Sequence, residues 1–238
     1  MNIHVFYSHL NVQGTDYKIR PSWFDFEKCF QNFLSTIKGK DNIKFHVIMD
    51  GNIDSNWVSK YKDSFIGHEI QGGTMEKAAI EMYRIALSLL DEMGDKDLIY
   101  FLENDYLHID GWDKHVLDVY QSFEGLNYIT LYDHLDKYFN PLYDDLVSKI
   151  FVSNTCHWRT TPSTCGSYIV PKNIFAEDYI NHTTIIGDHN KWLAINEEKG
   201  RFILSPLPGL STHCMEGLLT PTINWKKIND DISNNTNI

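Results

Sequence analysis

The sequence predicts an α/β fold in a single domain, with a mostly parallel sheet flanked by helices. Short apolar runs alternate with longer amphipathic runs from residue 1 to residue 131, and this alternation is typical of parallel strands joined by helices. The run Leu98–Leu102 is apolar throughout, as expected of a strand buried on both faces. No repeat and no Pro-, Gly- or Ser-rich linker divides the sequence, which favours one domain.

In the first half, five apolar runs predict strands, and four helical patterns lie between them. Thr74 is a suitable N-cap for the third helix, and Gly94 follows that helix as a stop signal. The predicted strands are Ile3–Tyr7, Ile43–Met49, Phe65–Ile70, Leu98–Leu102 and Tyr128–Leu131. The predicted helices are Trp23–Ile37, Ser55–Asp63, Thr74–Met93 and Gly111–Phe123.

The second half is less regular. It begins with a polar and aromatic segment, Asp133–Asp145, whose composition is typical of a loop. Strands are expected at Lys149–Val152, Ser167–Val170 and Arg201–Leu204, and helices at Pro171–Asn181 and Asp188–Lys199. The Asn-rich segment 230–238 predicts a disordered tail. The domain is therefore expected to cover residues 1–229, with halves at 1–131 and 132–229.

The charge balance limits the classes of partner. Of the 238 residues, 21 are basic and 32 acidic, giving a formal net charge of −11. This charge argues against nucleic acid as a partner and against an anionic membrane surface. No apolar run is long enough for a transmembrane segment, and the N-terminal residues lack the features of a secretory signal. A cytoplasmic location is the expectation, and the oligomeric state is not specified.

An acidic triplet, Glu103-Asn104-Asp105, directly follows the predicted strand Leu98–Leu102. Ligands of open α/β sheets bind outside the carboxyl ends of the strands. Two carboxylates separated by one residue can face the same side of an extended segment and share a hard divalent cation. The alternative is that both acids only cap and solvate the next turn.

At this triplet the chain resembles a known family. The run LIYFLENDYLHIDGW resembles the acidic DXD region of family-2-like nucleotide-sugar glycosyltransferases with the GT-A fold, although the first acid is Glu103. The resemblance implies a hexosyltransferase-like enzyme with a GT-A-like (Rossmann-like) fold. It implies that Mn²⁺ or Mg²⁺ is held by Glu103 and Asp105 against the diphosphate of a nucleoside-diphosphate sugar.

Other segments extend the resemblance to the donor. IHVFYSH, FHVIMDGN and GGTMEKAAIEMYRIAL resemble, in order, two nucleotide-binding strands and the helix before the metal strand. The half 1–131 would then bind the nucleotide sugar, and the half 132–229 the acceptor. The donor-binding residues implied in this way are Ser8, His9, Asp50, Gly72, Gly73, Glu103 and Asn104.

Two further residues are assigned by the same resemblance. In GDHNKWLAINEEKG, Asp188 matches the general base of inverting members, although it could equally be a helix N-cap. In RFILSPLPGLSTHCMEG, His213 matches a third metal ligand or diphosphate contact. A lone histidine is otherwise more often a structural hydrogen-bonding group.

Aromatic and charged residues suggest a site for a saccharide or other hydroxyl acceptor. Trp112 and Trp158 could stack on sugar rings, and Arg159 could bind an acidic group. Asp133 and His134 follow a predicted strand and could line the same site. The alternatives are core tryptophans and an ordinary solvated loop.

The function expected from these residues is metal-dependent glycosyl transfer, with inversion resting on Asp188. A metal-dependent hydrolase and a non-catalytic sugar-nucleotide-binding module remain as alternatives. The sequence contains no GxSxG, GxxxxGK[ST], HExxH or GxGxxG motif, which disfavours the catalytic and nucleotide-binding classes that use them.

Overall fold

A computed structural model of the protein describes residues 1–10, 18–185 and 187–234. The chain forms two compact units that interleave along the sequence. The first unit comprises Met1–Thr15, Gly39–Asn104 and Cys165–Arg201, and the second Asp16–Lys38, Asp105–Thr164 and Phe202–Ile238. The division into a donor-binding half, 1–131, and an acceptor half, 132–229, stays a prediction.

The helices and strands are numbered in chain order. The strands are β1 (Ile3–Leu10), β2 (Ile43–Asp50), β3 (Ile66–Ile70), β4 (Leu98–Glu103), β5 (Tyr106–His108), β6 (Tyr128–Ile129), β7 (Ile150–Val152), β8 (His157–Thr161), β9 (Tyr168–Pro171), β10 (Ile203–Leu207) and β11 (Ser211–His213). The helices are α1 (Phe26–Ile37), α2 (Ser55–Tyr61), α3 (Met75–Ser88), α4 (Trp112–Ser122), α5 (Lys172–Thr184), α6 (Asp188–Lys199) and α7 (Trp225–Asn234).

The first unit contains a parallel sheet, as the alternating sequence pattern predicted. Its strands lie in the order β3-β2-β1-β4-β9, where only β9 is antiparallel to its neighbour. All five residues from Leu98 to Leu102 are buried, which confirms β4 as a buried parallel strand. Helices α2, α3, α5 and α6 belong to this unit. The predicted α/β fold with a mostly parallel sheet is confirmed.

The second unit combines mixed strand pairing with three helices. Strand β10 is parallel to β6 and antiparallel to β8, which pairs in turn with β7. Strands β5 and β11 form a separate antiparallel ladder. Helices α1, α4 and α7 belong to this unit, and part of its core is a buried cluster of Cys29, Leu107, Cys214 and Trp225.

The sequence reading missed strands β5, β8 and β11 and helix α7, and several predicted ends differ from the observed ones. β5 and β11 have only three residues each, and β8 carries the mixed polar and aromatic sequence HWRTT. Helix α1 begins at Phe26 because the Asp25 carboxylate caps the backbone N–H groups of Glu27 and Lys28. The disordered tail is wrong for residues 230–234, which are helical, and residues 235–238 lie outside the described part.

Among the described residues, no helix has both the length and the apolar character needed to cross a membrane.

A buried carboxylate, Asp97, joins the turn before β4 to the start of β1. It accepts hydrogen bonds from the Asn2 backbone and side chain at 2.7 and 3.1 Å, and from the Gly94 backbone at 3.0 Å. The His4 ring lies 3.3 Å away. Burial alone would raise the pKa of Asp97, but the hydrogen bonds outweigh it and lower the pKa to about 2.

Asp97 should therefore contribute to acid stability. Because its pKa is lower in the folded state, the contribution is complete above pH ~4 and disappears as the pH falls through about 2. We expect Asp97→Asn to lower the free energy of unfolding by about 2 kcal/mol at pH 7. Urea unfolding can be measured from pH 7 to pH 2. The difference in free energy of unfolding between the wild type and Asp97→Asn should disappear in acid. A difference that stays constant with pH would contradict this role.

Candidate functional site

In the first unit, polar residues converge at the carboxyl ends of three neighbouring parallel strands. Ser8 and His9 lie near the end of β1, Asp50 ends β2 and Glu103 ends β4. The strand register pairs Ser8 with Glu103, and Leu10 with Asp50. The structure thus brings the predicted donor-binding residues of these strands to one edge, where open α/β sheets bind ligands.

The Asp50 carboxylate fixes the loop before α3. It accepts hydrogen bonds from the backbone N–H groups of Gly72 at 2.6 Å and Gly73 at 3.2 Å. Gly73 has a φ of +76°, and a Cβ on Gly72 would lie 2.8 Å from the Ala78 backbone nitrogen. Both glycines are therefore required by the backbone. The predicted set of Asp50, Gly72 and Gly73 is brought together at the edge of the sheet.

Glu103 and Asn104 are held by different contacts. The Glu103 backbone N–H donates to Ser167 Oγ at 3.0 Å, and a Cβ on Gly166 would lie 3.1 Å from Glu103 Cδ. Asn104 is buried, and its backbone carbonyl oxygen accepts a hydrogen bond from Tyr7 Oη at 3.2 Å. The Glu103 side chain therefore packs against the segment that leads into β9.

Asp188 is the first residue of α6, in the first unit. The N-cap is Gly187, so the alternative reading of Asp188 as the N-cap is wrong by one residue. Its Oδ1 accepts a hydrogen bond from Lys191 Nζ at 3.0 Å, and its side chain is 45% exposed. Lys191 is buried, with its Nζ 5.4 Å from the centre of the Tyr168 ring in β9. The carboxylate is thus oriented on one side and open to solvent.

The charge of Lys191 is maintained in spite of its burial. Burial alone would lower the pKa of this ammonium, but its interactions with Tyr83 and Asp188 outweigh that effect and raise the pKa. The Lys191 ammonium therefore remains charged where its Nζ contacts Asp188 Oδ1 at 3.0 Å.

In the second unit, three side chains surround Asp105. We call these four residues the Asp105 cluster: Asp105, His213, Lys18 and Arg20. Asp105 Oδ2 lies 2.9 Å from His213 Nε2, 2.7 Å from Lys18 Nζ and 2.9 Å from Arg20 Nη2. The β5–β11 ladder explains the first contact, since it pairs Tyr106 with His213 and joins the Cys214 N–H to the Asp105 carbonyl. Asp105 and His213 are both buried.

The cluster keeps its carboxyl group ionised. Burial alone would raise the pKa of Asp105, but His213, Lys18 and Arg20 outweigh it and hold the pKa well below its usual range. Arg20 is fixed further by a 2.9 Å hydrogen bond to the Cys214 carbonyl, and its guanidinium carbon lies 4.4 Å from the centre of the Phe24 ring. The cluster is therefore a pre-organised, charged arrangement.

An ammonium group lies against two of the predicted metal ligands. Lys18 Nζ lies 2.7 Å from Asp105 Oδ2 and 3.0 Å from His213 Nε2, so an ammonium already sits against both predicted ligands. Glu103, the other predicted ligand, belongs to the first unit. Across residues 1–10, 18–185 and 187–234, no group of three or more His, Cys, Asp or Glu side chains could hold a metal ion. Asp105 Oδ1 is buried without a hydrogen-bond partner among the same described residues, and a divalent cation at the predicted ligands stays a prediction.

The predicted acceptor tryptophans are core residues. Trp112 and Trp158 are both 0% exposed. The Trp112 indole N–H donates to Thr36 Oγ1 at 3.0 Å, and that of Trp158 donates to Ser153 Oγ at 3.2 Å. The prediction that either ring stacks on an acceptor sugar is wrong, because each indole is buried by packing and its N–H is already hydrogen-bonded.

The other predicted acceptor residues do meet, in the second unit. Arg159 Nη2 and Nε lie 2.7 and 3.2 Å from Asp133 Oδ1, and both residues are buried. The Tyr138 hydroxyl donates to the same carboxylate at 2.8 Å. His134, next in sequence, has its Nδ1 2.7 Å from an Asp136 carboxylate oxygen. The pairing of Asp133 with Arg159 is thus a structural fact, while contact with an acceptor stays a prediction.

Sequence reasoning did not find Lys18, Arg20, Tyr138 or Lys191. The only signal for the first two was the basic pair in Lys18-Ile19-Arg20 within an acidic chain. Lys191 lies one helical turn after Asp188, a spacing that brings side chains together. Nothing in the sequence distinguished Tyr138 from other loop aromatics.

Comparison with known proteins identifies the type of fold. No family model and no curated protein sequence matches the chain. The solved structure of S. aureus TarS 1–349 is similar, with 12% identity and a TM-score of 0.53, over 86% of this chain and 58% of that one. A CMP:2-keto-3-deoxy-manno-octonic acid synthetase complexed with CTP is similar at 10% identity, with a TM-score of 0.52, over 98% and 99% of the chains.

The fold is GT-A-like. These identities support the fold alone. The chain spans 58% of the length of the TarS structure, so the activity of a whole relative does not transfer by similarity. The expected GT-A-like fold is confirmed, and the chemistry depends on the side chains described above.

Proposed function

We propose that the protein transfers a sugar from a nucleoside-diphosphate sugar to a hydroxyl acceptor, with inversion and with Asp188 as general base. The observation that carries this proposal is the convergence of Ser8, Asp50 and Glu103 at the carboxyl edge of a parallel sheet within a GT-A-like fold. That edge is where this class of sheet binds nucleotides.

The donor would lie against the ordered loop at this edge. Asp50 holds the N–H groups of Gly72 and Gly73 and so presets the backbone before α3. A preset loop lowers the entropy lost on binding. We assign the nucleoside to this loop and to the Ser8–His9 end of β1. Glu103, at the end of the adjacent β4, would contact the sugar.

The reaction would be a single in-line displacement. The acceptor oxygen attacks the anomeric carbon, the bond from that carbon to the diphosphate oxygen breaks, and the acceptor proton passes to Asp188. Lys191 orients the Asp188 carboxylate through a contact of 3.0 Å. General base catalysis of this kind contributes about 10²–10⁴-fold to the rate.

Two other functions remain as alternatives. A hydrolase would use the same carboxylates but would release sugar at a rate that no acceptor increases. A binding module would bind the donor without turnover.

Donor binding can be tested by thermal shift. We expect nucleoside diphosphates and nucleoside-diphosphate sugars to raise the melting temperature, since a ligand present at 100 times its Kd stabilises the native state by about 2.7 kcal/mol. Nucleosides without phosphate serve as the control and should give a smaller shift. Absence of a shift with every nucleoside diphosphate, with and without Mn²⁺, would overturn the proposal.

A further inference from the structure

We propose that Gly166 and Ser167 position the Glu103 carboxylate to accept hydrogen bonds from hydroxyl groups of the donor sugar, so that these residues select the sugar. This inference rests on the proposed function, which assigns Glu103 to the sugar. All three residues, together with strands β4 and β9, belong to the first unit.

The pairing of β4 with β9 brings Gly166 next to Glu103. The two strands are antiparallel, and their ladder pairs Phe101 with Tyr168. Two residues further along, the same register places Gly166 opposite Glu103, the last residue of β4. Opposite residues of an antiparallel pair direct their side chains to the same face of the sheet. Because glycine has no side chain, the Glu103 side chain can occupy that face.

The Glu103 carboxylate lies close to the Gly166 backbone. A Cβ on Gly166 would lie 3.1 Å from Glu103 Cδ and 3.3 Å from Glu103 Oε2. Gly166 is not among the glycines with a positive φ, so its backbone conformation does not require glycine. The close approach of the carboxylate is therefore the feature that glycine permits at this position.

Ser167 holds Glu103 at two points. Its Oγ accepts a hydrogen bond from the Glu103 backbone N–H at 3.0 Å, and its hydroxyl donates to Glu103 Oε2 at 3.5 Å. The second bond is long, and hydrogen bonds in sites of this kind often shorten when the ligand is bound. Ser167 is only 2% exposed. It therefore acts through Glu103, as a positioning residue.

A carboxylate held in this way is suited to sugar hydroxyl groups. It offers about four acceptor positions, of which Ser167 occupies one, and hydrogen bonds to a charged acceptor are stronger than those between neutral groups. Two neighbouring hydroxyl groups of a sugar can donate to its two oxygens. Fixing the carboxylate before binding reduces the entropy lost when the sugar binds. The substrate class is thus a donor whose sugar carries free vicinal hydroxyl groups.

Calorimetry can separate binding of the sugar from binding of the nucleotide. The ligands are a nucleoside-diphosphate sugar that raises the melting temperature of the wild type and the same nucleoside diphosphate without sugar, both in one buffer with Mn²⁺. In Ser167→Ala, the affinity for the nucleotide sugar should fall about 5–10-fold, with the affinity for the diphosphate unchanged. Ser88→Ala, at an exposed position of α3 in the same unit, is the matched control and should leave both affinities unchanged.

Glu103→Gln tests the inference even if Ser167→Ala does not fold. Glutamine keeps the size of the side chain but removes its charge, so binding of the nucleotide sugar should weaken about 10–100-fold, with the diphosphate unaffected. Unchanged affinity in Glu103→Gln, or equal losses for the two ligands in Ser167→Ala, would overturn the inference and leave the proposed function standing. If the wild type bound no nucleoside diphosphate or nucleotide sugar, the proposed function itself would be overturned, and the inference with it.

Discussion

Asp188→Asn is expected to reduce the rate of sugar transfer by about 10²–10⁴-fold, with little change in donor affinity. Asparagine keeps the size of the side chain and can still accept a hydrogen bond from Lys191, but it cannot take the acceptor proton. Because Asp188 is 45% exposed, the substitution should leave the fold intact. Initial rates at saturating donor, together with donor Kd values from calorimetry, measure the two effects separately.

Glu197→Gln is a matched control for this variant. Glu197 is exposed on the same helix, α6, and the substitution removes the same charge. Its transfer rate should equal that of the wild type. Full activity of Asp188→Asn, or an equal loss in both variants, would exclude Asp188 as the general base.

Arg159→Met is expected to lower the free energy of unfolding by about 3–5 kcal/mol, because it leaves a buried carboxylate without its cation. The Asp133 and Arg159 side chains are 2% and 6% exposed, and the Arg159 Nη2 to Asp133 Oδ1 distance is 2.7 Å. The Tyr138 hydroxyl would remain as a donor but would not neutralise the charge. Urea unfolding at pH 7, followed by circular dichroism, measures the loss.

Arg84→Met provides the comparison for a surface pair. The Arg84 side chain is 63% exposed and contacts Glu81 at 2.6 Å on α3. Exposed ion pairs of this kind contribute about 0–1 kcal/mol, so this variant should unfold close to the wild type. If the free energy of unfolding fell by a similar amount in Arg159→Met and Arg84→Met, burial would not explain the contribution of the Asp133–Arg159 pair.

The parts of the fold that follow local patterns could be predicted. The apolar runs at β1, β2 and β4 identified the parallel strands, and the direction of those strands placed Ser8, Asp50 and Glu103 at one edge. The Asp50, Gly72 and Gly73 group was also anticipated, although its internal hydrogen bonds were not.

The remaining parts depend on contacts between distant segments. The ladder of β5 and β11 brings Asp105 to His213, 108 residues later, but three-residue strands carry no detectable period. Lys18 reaches Asp105 from 87 residues away, so the sequence suggested a metal where an ammonium lies. Burial of Trp112 and Trp158 likewise depends on their tertiary neighbours, which a composition argument does not reveal.

Glycosyl transfer itself is tested most directly by measuring release of nucleoside diphosphate from a panel of nucleoside-diphosphate sugars, with and without hydroxyl acceptors. We expect acceptor-dependent release and a glycoside product of inverted anomeric configuration. Release that no acceptor accelerates would indicate a hydrolase and contradict the central claim. Formation of pyrophosphate from a nucleoside triphosphate and a sugar, with no glycoside product, would contradict it equally.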